Sequence, residues 1–217
     1  MKNRLWTSLL VLVVMAVFIA GCAAPQTTAQ STQTTGSTQG AEIPNTGTTD
    51  FDQLFIDMMV PHHQGAVEMA RIAQDRAEHS EIKALADAIV AGQEGEINQM
   101  KNWKQEWYGS SDTPSMSEMP SMHEMPGMGG TGHAMNMQAE VDQLKNAPEP
   151  FDLAFIDAMI PHHQSAIDAA QQALNGAQRA EIKDLAQKII DAQKKEIDQL
   201  KAWREAWYPD APAASTH

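Results

Sequence analysis

An all-α fold is predicted for this chain of 217 residues: a four-helix bundle made from two repeated helical hairpins joined by a methionine-rich linker. Three observations predict it. Residues 51–108 recur at 151–208 with a constant offset and no gap, and 28 of the 58 aligned positions are identical. Each copy carries two long amphipathic stretches with apolar residues at three- and four-residue spacing. One such hairpin would leave an apolar face in water, so two are expected to cover each other as the four helices of a bundle. Pairing with a hairpin of a second chain would give a dimer with the same local sites, and the sequence leaves monomer and dimer open.

The chain opens with Lys2 and Arg4, an apolar run from Leu9 to Ala20, and then Ile19-Ala20-Gly21-Cys22. Residues 1–21 read as a secretory signal whose end resembles that of a bacterial lipoprotein, with Cys22 as the lipidated residue. An uncleaved N-terminal anchor is the competing reading. Under either, the expected location is extracytoplasmic, on a bacterial membrane at its periplasmic face or at the cell surface. Cys22 is the only cysteine, and once lipidated it leaves no thiol, which excludes disulfides and thiolate metal sites. A soft ligand in this protein must therefore be methionine or histidine. Residues 22–49, mostly Thr, Gln, Ser, Gly and Ala, read as a flexible tether.

The first hairpin is expected over 50–108. Phe51, Phe55, Met58, His62, Met69 and Ala73 fall on one helical face, opposite Gln53, Asp57, Gln64, Glu68 and Arg71. Thr49 or Asp50 can cap this helix, Asp52 suits its first turn, and Pro61 should kink it. In the next helix, Ser80 to Trp107, the stripe Ile82, Leu85, Ala86, Ile89, Ile97, Met100 and Trp107 is interrupted by Gln93 and Glu96. The same interruption returns as Gln193 and Glu196. Buried polar groups need partners, and His62 or His63 on the neighbouring helix is the expected one. A linker over 109–137, the second hairpin over 138–208 and a tail over 209–217 complete the chain.

Both copies keep Met-x-Pro-His-His-Gln, at Met59 to Gln64 and at Met159 to Gln164. A histidine pair after a proline inside a helix has little packing value. Met58 stands one turn before His62, and Met59 one turn before His63. Thioether with imidazole suits Cu(I) or Ag(I), which accept few ligands. The plainer reading makes the methionines core filling and the histidines partners of Gln93 or Glu96. The second copy has Ala158, Ala169 and Leu200 in place of Met58, Met69 and Met100, and retains Met159, His162 and His163. The first copy is therefore expected to hold a soft ion more tightly.

Seven of the 14 methionines lie within 116–137. Met116, Met119, Met122, Met125 and Met128 recur at every third residue, with His123, His133, Met135 and Met137 beside them. Prolines and glycines oppose a regular helix there. Exposed methionine is open to oxidation, so soft-metal capture gives this segment a reason; a spacer or an oxidant sink is the alternative. Trp103, Trp107, Trp203 and Trp207 are expected to close the bundle end. His79 and His217 read as surface residues, and Asp57, Glu68 and their counterparts as solvated faces.

The pattern FD..FI..M.PHHQ.A, followed by EI..LA..I...Q..EI, resembles the family filed as domain of unknown function 305, here duplicated in tandem. That resemblance implies a ferritin-like bundle and an extracytoplasmic copper-binding role connected with copper resistance, with Met59, His62, His63, Met159, His162 and His163 as the positions to test. A net charge of −13 argues against nucleic acid as a partner. The expected function is copper binding without catalytic turnover, with Cu(I) favoured over Cu(II) and silver as a further soft ion. The metal would be sequestered or handed to a partner protein. The rivals are a scaffold that docks a membrane partner through its acidic face and a ferritin-like metal oxidase. The oxidase is disfavoured because Glu-x-x-His spacing occurs nowhere in the chain.

Overall fold

A computed structural model describes residues 50–118 and 137–212. It contains α1 (Phe51–Arg76), α2 (Ser80–Tyr108), α3 (Met137–Lys145), α4 (Phe151–Gly176) and α5 (Ala180–Trp207). Helix α1 pairs with α2 and α4 pairs with α5, and the two hairpins meet through α1 and α4. The signal, the tether, Cys22 and most of the methionine-rich linker lie outside the described residues. No described helix is long and apolar enough to cross a membrane.

Asp50 caps α1, its carboxylate accepting from Asp52 N at 3.1 Å. Pro61 and Pro161 fall near the centres of α1 and α4, each of which is one helix on both sides of its proline. The short α3 was not foreseen: Met137, placed in the linker by composition, is its first residue. Its signal was a brief stripe of Met137, Val141 and Leu144, all buried, too short to separate from loop by periodicity alone. Helix α3 packs mainly on α1, and Arg76 holds its end through bonds to the carbonyls of Leu144, Lys145 and Ala147.

Asp52 and Asp152 lock the hairpins together reciprocally. The buried Asp52 carboxylate accepts from Gln178 N at 2.9 Å and Arg179 N at 3.0 Å, at the start of α5. Asp152 accepts from Glu78 N at 3.0 Å and His79 N at 2.8 Å, at the start of α2. Each acid thus satisfies helix-start amides in the other copy, where the dipole favours negative charge. His79 is no free surface residue: its Nδ1 lies 2.6 Å from Asp152 Oδ2 and its ring stacks on Trp207 with centroids 3.8 Å apart. Arg179 lies over Trp107 in the corresponding place. The tryptophans stack in pairs, Trp103 on Trp107 and Trp203 on Trp207.

Asp57 and Asp157 also depart from the solvated role expected of them. Asp57 binds the buried Lys104 ammonium, and Asp157 takes Arg204 Nε at 2.6 Å. The apolar interior forms two lobes. One gathers Phe55, Ile56, Met58, Met59 and Val60 with Ile182 to Ile197 of α5; the other gathers Phe151, Phe155, Ile156 and Met159 with Ile82 to Ile89 of α2. Between them, at the middle of α1 and α4, lies a polar waist.

Candidate metal centre

The waist is built from the two histidine pairs. His62, His63, His162 and His163 are each 2 % exposed or less, and the rings of His62 and His162 meet with centroids 4.0 Å apart. Antiparallel crossing of α1 and α4 brings these positions together, as expected of two copies of one unit facing each other.

The outer histidine of each pair is held by a carboxylate. His63 Nε2 lies 2.7 Å from Glu96 Oε2, and His163 Nε2 lies 2.8 Å from Glu196 Oε2. Glu96 and Glu196 are therefore the residues that meet the histidines, as their interruption of the apolar stripe suggested. Gln93 and Gln193 do not meet them: their Oε1 atoms are buried without a partner, and they line, with the two glutamates, a cavity of about 50 Å³ between α2 and α5. The Glu96 carboxylate hydrogen-bonded to His63 Nε2 fixes that ring's orientation, whereas His163 Nε2 lies within ion-pair distance of Glu196 without a hydrogen bond. Nδ1 of both His63 and His163 is buried without a partner.

The inner histidines differ from each other. Ser165 Oγ donates its only proton to the His162 carbonyl at 2.7 Å, so its oxygen accepts from His62 Nε2 at 2.8 Å. His62 thus carries its proton on Nε2. His162 has neither ring nitrogen bonded. The position matching Ser165 is Gly65, where a Cβ would stand 3.4 Å from His162 Nε2, 3.5 Å from Met137 Cβ and 3.6 Å from Met116 Sδ. Burial, then the neighbouring histidines, hold both inner imidazoles well below their ordinary protonation range. They are neutral, with lone pairs available.

Of the other expected ligands, Met58, Met59, Met69 and Met159 are fully buried among the apolar lobes. Met116 and Met137, one at each end of the linker, reach the waist beside Gly65. Met119, Met122, His123, Met125, Met128, His133 and Met135 lie outside the described residues. Sequence reasoning missed Gly65 and Ser165; the signal was that this position differs between two otherwise matched motifs. Among the described residues no three His, Cys, Asp or Glu side chains are arranged to hold a metal ion. The donors concentrated at the waist are imidazole nitrogens with thioether at its edge, which favours a soft ion of low coordination number.

The same arrangement can be set beside known proteins. Solved structures of CopM match 72 % of this chain and 97 % of their own: the Cu(II)-bound form at 42 % identity and TM-score 0.60, the Cu(I)-bound form at 39 % and 0.59. CopM is also known in an Ag-bound form, 38 % identical with TM-score 0.58. A DUF305 fragment from Deinococcus radiodurans, 27 % identical, matches 71 % of this chain and 95 % of its own with TM-score 0.57. An uncharacterised protein, L153 of Acanthamoeba polyphaga mimivirus, is 35 % identical over 51 residues, which cover 24 % of this chain and 34 % of that protein. The likeness to CopM and to the Deinococcus fragment makes the fold a ferritin-like bundle, and the profile described as domain of unknown function (DUF305) matches residues 52–204, both histidine pairs included. The chain belongs to the DUF305 family.

Proposed function

We propose that this protein binds copper, chiefly as Cu(I) and with Ag(I) as a second soft ion, outside the cytoplasm and tethered to a membrane through Cys22. It takes up the ion to sequester it or to hand it to a partner protein, without catalytic turnover. One observation carries the reading: four buried imidazoles meet between two apolar lobes, with six ring nitrogens lacking any hydrogen-bond partner. Leaving buried polar atoms unpaired costs about 1–3 kcal/mol each, and a bound cation removes that cost. Copper and silver in the CopM relatives support the choice of ion. A carboxylate-bridged di-iron centre is poorly supported, since Glu96 and Glu196 each hold a histidine.

The test is an anaerobic Cu(I) titration of the purified protein against a competing chromophoric chelator, repeated after deletion of 116–137. Several tight equivalents are expected, of which some survive the deletion. Absence of competition at any ratio would sink the reading and leave a docking scaffold as the better account.

A further inference from the structure

We infer that the soft ion enters the waist from one side only, passing from the Met116 thioether to His162 Nε2 at the notch left by Gly65, while Ser165 keeps the matching face of His62 closed. This deepens the copper reading and rests on it. The two inner histidines come from identical motifs and touch each other, so a symmetric pair of seats would be the simple expectation. Residue 65 or 165 breaks the symmetry. Ser165 engages His62 Nε2 at 2.8 Å and obliges that nitrogen to carry a proton. Gly65 has no side chain to do the same to His162, whose Nε2 is buried and unpaired.

The space at Gly65 faces a donor of the right softness. Met116 Sδ and His162 Nε2 both lie within 3.6 Å of the point where a Cβ would stand. Met116 also lines a groove of about 630 Å³ between α1, α2 and the linker, together with Gln64, Glu68 and Arg71. It therefore connects open groove to buried waist. Hand-over is a ligand exchange: a Cu(I)–S bond breaks as a Cu(I)–N bond forms at Nε2, the His162 proton stays on Nδ1, and no electron is transferred. Methionine content favoured the first copy as the tighter holder. Nitrogen availability favours His162, from the second copy, served by a methionine of the linker.

The test uses the full chain with 15N-labelled histidine and Ag(I), a diamagnetic stand-in for Cu(I), read by the ring-nitrogen and methionine-methyl NMR signals. At one equivalent His162 Nε2 and the Met116 methyl are expected to shift together while His62 Nε2 stays in place. Gly65→Ser, which supplies the hydroxyl present at 165, should weaken binding at His162 about tenfold or more; Met116→Leu should do the same without adding bulk at the notch. Folding of both variants is checked by their helical circular dichroism. Equal shifts of His62 and His162, or unchanged His162 binding in a folded Gly65→Ser protein, would overturn the one-sided seat. Methionine shifts with all ring nitrogens silent would overturn it too, yet leave soft-metal binding intact. No response to Ag(I) anywhere would overturn the copper reading itself.

Discussion

Glu140 offers a test of how α3 sits on the bundle. One of its carboxylate oxygens is buried without a partner, and burial raises its pKa from 4.5 to about 7. A group whose folded pKa is raised contributes stability that is complete below the unfolded value and lost as pH climbs through the folded one. Here that window runs from 4.5 to about 7. Above it the native state carries a desolvated charge. At about 1.36 kcal/mol per unit the full shift corresponds to about 3.4 kcal/mol, and partial exposure of the side chain lowers the useful figure to about 1–2 kcal/mol. Glu140→Gln keeps the shape and removes the charge. It should therefore stabilise the protein by about 1–2 kcal/mol at pH 8 and leave it unchanged at pH 4.5. His62 and His162 act in the opposite sense, since burial lowers them: their contribution is present above the ordinary imidazole value and lost as pH falls below it. That background is common to parent and variant, so the difference between their urea midpoints, followed by circular dichroism across the range, isolates Glu140. An equal gain at pH 4.5 and 8 would refute the reasoning, because a change of packing and not of charge would then be responsible.

Two further substitutions address the waist and the hairpin lock. His162→Leu removes two unpartnered buried nitrogens and should stabilise the metal-free protein by about 1–2 kcal/mol while removing one tight Cu(I) equivalent; urea unfolding and the chelator titration read the two effects, and lost stability would show that His162 is there for packing. Asp152→Ala strips the carboxylate from two backbone amides and His79 and should cost about 3 kcal/mol; a loss below about 0.5 kcal/mol in chemical denaturation would show that the reciprocal caps do not hold the hairpins together.

Much of the bundle was legible because duplication supplies its own control. The periodic apolar stripes located α1, α2, α4 and α5, and the polar interruptions at Glu96 and Glu196 foretold their contact with the histidines. What stayed hidden was contact between the copies. Asp52 reads as an acid suited to its own helix dipole, and nothing local says that its carboxylate reaches the start of α5. His79 likewise looks exposed until Asp152 and Trp207 are brought to it from the other repeat. Asp57 lies on the polar face of its helix, and only the turn that returns α2 puts Lys104 against it. Helix α3 was lost for a different reason: nine residues give barely two turns of pattern, and the methionine-rich composition before it masked the change. Gly65 and Ser165 were visible as letters, but their meaning depends on the crossing of α1 and α4.

The acidity of the chain is a poor guide to its ion, because the acids on the inner faces of the helices, Glu140 apart, already have work. Asp52 and Asp152 cap the partner hairpins, Asp57 and Asp157 hold Lys104 and Arg204, and Glu96 and Glu196 hold the outer histidines. A hard ion entering the bundle would have to draw carboxylates from contacts that keep the fold together. The groups that remain without partners at the waist are imidazole nitrogens and the Gln93 and Gln193 amide oxygens, and among the described linker residues the thioether of Met116 stands beside Gly65. The fold thus commits most of its inner carboxylates to structure and leaves imidazole nitrogen and thioether sulfur, the donors that suit a soft ion, beside one another at the waist.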